Sequence, residues 1–141
     1  HAKLIKRYAD EVIFVLDADT AGENAVMRAA ENFLGAGLSM KVTALPEKED
    51  PDTLILKEGA DAFKVLLDAS QPLIDWQVAI LLKREGNESD AAMDRVTKKV
   101  LQTRSYVPSA AQKERMVNRC AELLKVSSIL LPLREKYLLL L

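Results

Sequence analysis

The run Val12-Ile13-Phe14-Val15-Leu16, closed by Asp17-Ala18-Asp19 and followed at once by a helical pattern, constrains this chain more than any other stretch. Five consecutive apolar residues, rich in β-branched side chains, suit a strand buried on both faces, as in a parallel sheet. Thr20 then begins a helix, and Thr20 and Glu23 have the spacing of a capping box. Val26, Ala29, Ala30, Phe33 and Leu34 recur at helical spacing, and Gly35-Ala36-Gly37 stops the helix. Met40-Lys41-Val42-Thr43-Ala44-Leu45 reads as a second strand. Strand, helix and strand of these lengths form a βαβ unit with parallel strands and a right-handed crossover. The expected fold class is therefore α/β.

The remainder reads as helical. Helices are predicted over 51–58, ended by Gly59, and over 60–69, with Phe63, Leu66 and Leu67 inward. A longer one over 72–84 carries Leu73, Trp76, Ile80 and Leu81 on one side. Ser89 caps a helix with the stripe Met93, Val96 and Val100. Ser109 and Gln112 open another, with Met116, Val117, Cys120, Leu123 and Leu124. A last, apolar helix is expected within 129–141. Only five Gly and five Pro in 141 residues agree with a helix-rich chain. Charge divides the sequence: residues 1–82 carry 8 Lys+Arg and 14 Asp+Glu, and residues 83–141 carry 12 and 7. Two domains are expected, an acidic α/β domain over 1–71 and a basic helical domain over 72–141. The net charge of −1 gives no overall basic field to recruit nucleic acid.

Other chemistries are narrowed quickly. Cys120 is the single cysteine, which excludes an internal disulfide and a Cys-rich zinc site. It falls among Val117, Leu123 and Leu124 and is read as core. The single histidine is His1, so a His-based site is not expected. No apolar run reaches about 18 residues, so no membrane span is expected. The absence of a signal-peptide pattern points to the cytoplasm, and the initial His to a processed or excised piece.

The carboxylates are the candidate chemistry. In extended backbone Asp17 and Asp19 point to the same side, with Cα atoms about 6.5–7 Å apart. Two such anions repel by roughly 2–3 kcal/mol at an effective dielectric near 20. The first cation after them is Arg28. A divalent cation relieves that repulsion, and oxygen-only ligands favour Mg²⁺ or Mn²⁺ over Zn²⁺. Parallel strands end at one edge of the sheet, where ligands of open α/β sheets bind. The loop after the second strand should bring Asp50 and Asp52 to that edge. The alternative is local: Asp50 before Pro51 suits an N-cap, and Asp52 suits a first helical turn. Gly22 and the helix start at Thr20 offer free N–H groups to a phosphate, or simply a permissive helix entry. A phosphatase-type Asp-x-Asp-x-Thr is absent, since Ala21 stands fifth, and no Gly-Lys-Ser/Thr phosphate loop occurs. Arg84, Arg95, Lys98, Lys99, Arg104, Lys113, Arg115 and Arg119 form either a solvated face or a contact to nucleic-acid backbone.

The stretch Val12 to Gly22 with Ala25 and Arg28-Ala29 resembles the Asp-x-Asp motif of TOPRIM domains. Leu45-Pro46, Asp50-Pro51-Asp52-Thr53-Leu54, Glu58-Gly59, Ala62-Phe63, Leu66-Leu67 and Pro72-Leu73 further resemble bacterial DnaG-type DNA primases. The resemblance covers about residues 1–82 well. It implies a partial TOPRIM fold followed by an α-helical bundle subdomain, part of an enzyme that makes short RNA primers. The implied partners are single-stranded DNA template, RNA primer and nucleoside triphosphates, with the replicative helicase engaged through a region absent here. It also implies that Asp17, Asp19, Asp50 and Asp52 are both catalytic and metal-binding, holding Mg²⁺ or Mn²⁺, and that zinc belongs only to an N-terminal module absent from this sequence. Ala18 stands where such proteins often have Gly or Ser, and Lys48 where a turn often has Gly. The family's earlier strand, ending in a catalytic Glu, has no counterpart before Val12, so this piece alone is expected to be inactive. Alternatives are another TOPRIM protein, such as a type IA topoisomerase or an OLD-type nuclease, and a non-catalytic helical interaction module.

Overall fold

The computed structural model describes residues 1–17, 20–46, 51–86 and 89–125. The chain divides into two compact units, His1–Leu73 and Ile74–Leu141. The first opens with a short helix α1 (Ala2–Lys6), followed by strand β1 (Glu11–Leu16), helix α2 (Thr20–Gly35) and strand β2 (Ser39–Ala44). Helices α3 (Pro51–Glu58) and α4 (Ala60–Asp68) then lead into a two-residue strand β3 (Gln71–Pro72). The second unit holds most of α5 (Leu73–Glu85), then α6 (Asp90–Ser105) and α7 (Ala110–Leu124).

β1 and β2 pair in parallel, from Glu11 opposite Ser39 to Leu16 opposite Ala44, with α2 as the crossover. α2 buries Val26, Ala30 and Leu34, one residue per turn, so a single stripe faces the core. Phe33 adds an edge-to-face contact with Phe14, ring centroids 5.3 Å apart. α2 ends where a glycine is required. Gly37 has φ +86°, its N–H donates to Leu34 O, and the Leu38 N–H reaches back to Phe33 O. That double bond is the Schellman arrangement, and buried Leu38 supplies its apolar contact.

Two expectations are corrected in the sheet. β1 is not buried on both faces: all its apolar residues are half-buried, and the strand lies at the edge of the order β1-β2-β3. β2 is the central strand and carries the buried residues Met40, Val42 and Thr43. The sheet also has a third, antiparallel member, with Lys41 opposite Pro72 and Val42 opposite Gln71. Pro72 is tolerated because β3 is itself an edge strand.

In the second unit Ile74, Val78 and Leu81 of α5 meet Val96, Val100 and Leu101 of α6 and Val117, Cys120, Ala121 and Leu124 of α7. Ser89 accepts the Ala92 N–H at 3.1 Å and Ser109 accepts the Gln112 N–H at 3.3 Å, so both predicted caps form. α5 is buried at Ile74, Trp76, Gln77 and Val78, on more than the one side expected. The fully buried Gln77 donates from Nε2 to Thr103 Oγ1 at 2.9 Å. Burial pushes the Cys120 thiol up to about 11. The final helix expected within 129–141 lies outside the described residues.

Candidate metal-binding edge of the sheet

The aligned ends of β1 and β2 define the edge. Leu16 stands opposite Ala44, and the next pair continues the ladder, with the Leu45 N–H donating to Leu16 O at 2.8 Å. Asp17 is the residue immediately beyond β1, and its side chain is exposed. Asp52 is exposed in the first turn of α3, the helix reached from the end of β2. Neither carboxylate has a hydrogen-bond or ion-pair partner among the described residues. Asp19 and Asp50 lie outside the described residues. Among the described residues no three Asp, Glu, His or Cys side chains converge closely enough to hold a cation. The structure thus places half of the predicted quartet, on the two segments expected to carry it.

The two placed groups fit a hard cation. Both are carboxylates, both are solvent-facing, and neither is committed to a salt bridge. Oxygen donors of this kind suit Mg²⁺ or Mn²⁺. Two other acidic groups are held by cations. The Lys6 ammonium beside Asp10, 2.6 Å away, holds that carboxyl below its usual range. Arg95 and Lys99 do the same for Glu85, at 2.7 and 3.3 Å.

The helical pair that carries Asp52 is anchored at two points. Leu54 of α3 is buried. Thr43 of β2, also buried, donates its hydroxyl to Leu66 O of α4 at 3.0 Å. Sequence reading missed Thr43, because a single threonine in a strand carries no spacing signal. Gly59 joins the two helices at φ +86°, a conformation that L side chains rarely adopt.

Among the predicted basic residues, Arg95 and Lys99 grip Glu85, and Arg119 binds Asp75 with two parallel bonds. The second of these ties α7 to α5. Lys98 and Arg115 are exposed.

A parallel strand pair joined through a crossover helix, with Asp17 just beyond the first strand, is of the TOPRIM kind, and a Toprim-like family profile matches residues 1–55. The particular family is narrower. The chain is 33% identical over 130 residues to a DNA primase of Pseudomonas putida, covering 87% of this chain and 19% of that protein. It superposes on a crystal structure of a DNA primase domain from Pseudomonas aeruginosa with a TM-score of 0.79, at 26% identity, covering 96% of this chain and 44% of that one. The DnaG primase catalytic domain bound to ssDNA gives a TM-score of 0.77 at 28% identity, covering 89% and 41%. The chain belongs to the bacterial DnaG-type DNA primases and corresponds to the later part of the TOPRIM domain with the helices that follow it. It spans between 13% and 21% of the length of the curated primases it matches.

Proposed function

We propose that this chain is part of a primase catalytic core that synthesises short RNA primers on single-stranded DNA from nucleoside triphosphates. The observation that carries the reading is the 33% identity to a DNA primase over 87% of the chain, with Asp17 just beyond β1 and Asp52 at the start of α3 both exposed. Asp17, Asp19, Asp50 and Asp52 would together hold Mg²⁺ or Mn²⁺. When bound, such a cation polarises phosphoryl oxygens and favours the ionised form of an attacking hydroxyl. The chain's own part is positional. The β1–β2 ladder fixes where Asp17 emerges, and α3 fixes Asp52. In the complete polymerase the template would be single-stranded DNA, in keeping with the ssDNA-bound relative, and the replicative helicase would be engaged through other segments. The two compact units support a division into a metal-binding domain, 1–71, and a helical domain, 72–141. The 141-residue chain alone is expected to make no primer, because it spans so small a share of the complete enzymes.

The test is a Mn²⁺ titration followed by paramagnetic broadening of backbone amide signals. Selective loss of signals near residues 17 and 52, abolished in the Asp17→Asn/Asp19→Asn variant, is the expected result. Uniform or absent broadening in a folded sample overturns the metal reading. Primer synthesis by the chain alone overturns the expectation of inactivity.

A further inference from the structure

We propose that Thr43 is a positioning residue for the acidic segment on α3, acting through its hydrogen bond to the Leu66 carbonyl at the end of α4. The proposal rests on the metal reading of Asp17 and Asp52 and adds a residue that does not touch the cation.

The last carbonyls of a helix have no partner within it. At the end of α4 the Ala69 N–H donates to Val65 O and the Ser70 N–H to Leu67 O. Both neighbouring carbonyls are thus served, and Leu66 O between them takes its bond from Thr43 Oγ1 at 3.0 Å. Thr43 is only 7% exposed, so its hydroxyl also needs this partner. One bond satisfies two groups and fastens α4 to the central strand.

That fastening matters because α4 is otherwise loosely held. None of its residues is fully buried, although Phe63, Leu66 and Leu67 are partly so. α3 runs directly into α4, since the single residue Gly59 separates them. Asp52 sits at the far end of α3 from that joint. An eight-residue helix is about 12 Å long, so a tilt of about 5° moves its end by about 1 Å. Displacements of that size matter to groups that must meet in one constellation. Thr43 also lies at the end of β2 that faces Asp17: it is opposite Val15, two residues before it. The same strand therefore registers β1, from which Asp17 emerges, and holds the helical pair that carries Asp52.

The experiment compares Mn²⁺ titrations of wild type, Thr43→Val, Thr43→Ser and Leu34→Val, each read by amide broadening with circular dichroism as a fold check. Valine keeps the volume and favours a strand but cannot donate. The expected result is a Mn²⁺ midpoint near residue 52 raised about threefold to tenfold in Thr43→Val, at the weak end of the roughly 10–100-fold losses seen when groups that orient metal ligands are removed. Thr43→Ser restores the midpoint. Leu34→Val, a buried change on α2, lowers thermal stability and leaves the midpoint where it was, which separates positioning from general loosening. A folded Thr43→Val with the wild-type midpoint overturns the proposal while the metal reading stands. Absence of selective broadening in wild type overturns the metal reading itself, and the proposal with it. Should Thr43→Val fail to fold, Thr43→Ala, which has no side-chain donor either, is titrated in its place, and a wild-type midpoint there overturns the proposal equally.

Discussion

The two units place their ion pairs differently: in His1–Leu73 Lys6 pairs with Asp10 four residues on, and Lys41 with Glu11 across the β1–β2 pair. In Ile74–Leu141 the carboxylates of Asp75 and Glu85 are gripped by Arg119, Arg95 and Lys99, and these contacts tie helix to helix. Asp17 and Asp52, on the segments that leave the sheet, have no partner among the described residues. The apolar side chains differ too. The helical unit has one contiguous core, and among the described residues the large apolar side chains left exposed, Leu4, Tyr8, Ile55, Leu56 and Val65, all belong to the α/β unit. Charges consumed in holding helices together are structural. Charges left open at the edge of a parallel sheet are available for ligands.

Breaking the helical core should give the largest effect. Leu81 is 2% exposed, and Leu81→Ala should cost about 2–5 kcal/mol, read from urea denaturation. The matching truncation in the other unit, Leu56→Ala at 86% exposed, should stay within about 0.5 kcal/mol. A large cost at Leu56 would mean that the exposed apolar side chains of the α/β unit are packed in solution, and the contrast between the units would fail.

The next effect tests the open charges. Asp17→Asn with Asp52→Asn should weaken Mn²⁺ binding by at least about a hundredfold, beyond the roughly 10–100-fold losses that follow removal of groups that only orient metal ligands. Stability should move by less than about 0.5 kcal/mol, because neither group has a partner to lose. Isothermal titration and thermal melts on the same samples read both quantities. A clear drop in melting temperature would show instead that the two carboxylates serve the fold.

Much of this was legible in advance, for identifiable reasons. β1, α2 and β2 fall within one residue of their predicted bounds, because an apolar run and a 3.6-residue stripe are strong local signals. The DnaG-type pattern around Asp17 and Asp52 was readable because it is contiguous in sequence. α1 and β3 were not readable: five residues and two residues are too short to show a period, and Pro72 argues against a strand. The half-burial of β1 was misjudged because a continuous apolar run looks the same in a central strand and at an edge. Thr43 was invisible because its role depends on a carbonyl 23 residues away.

The smallest effect concerns pH and sharpens what internal pairing means. Arg95 and Lys99 hold the Glu85 carboxyl below its usual value of 4.5, first through the Arg95 hydrogen bond and then through that of Lys99. A carboxyl depressed in the folded state contributes stability that is complete above the unfolded value and is lost as pH falls through the folded one. Melting temperature should therefore hold from neutral pH down to about 5 and then fall as the medium becomes more acid. Glu85→Gln removes the titrating group, so the acid-side fall should become shallower, while at pH 7 the variant should melt slightly lower than wild type. Salt should shrink that pH 7 difference, because Arg95 and Lys99 are largely solvent-facing and screened. Equal acid limbs for wild type and Glu85→Gln would show that the contacts of Arg95 and Lys99 with Glu85 add nothing to stability.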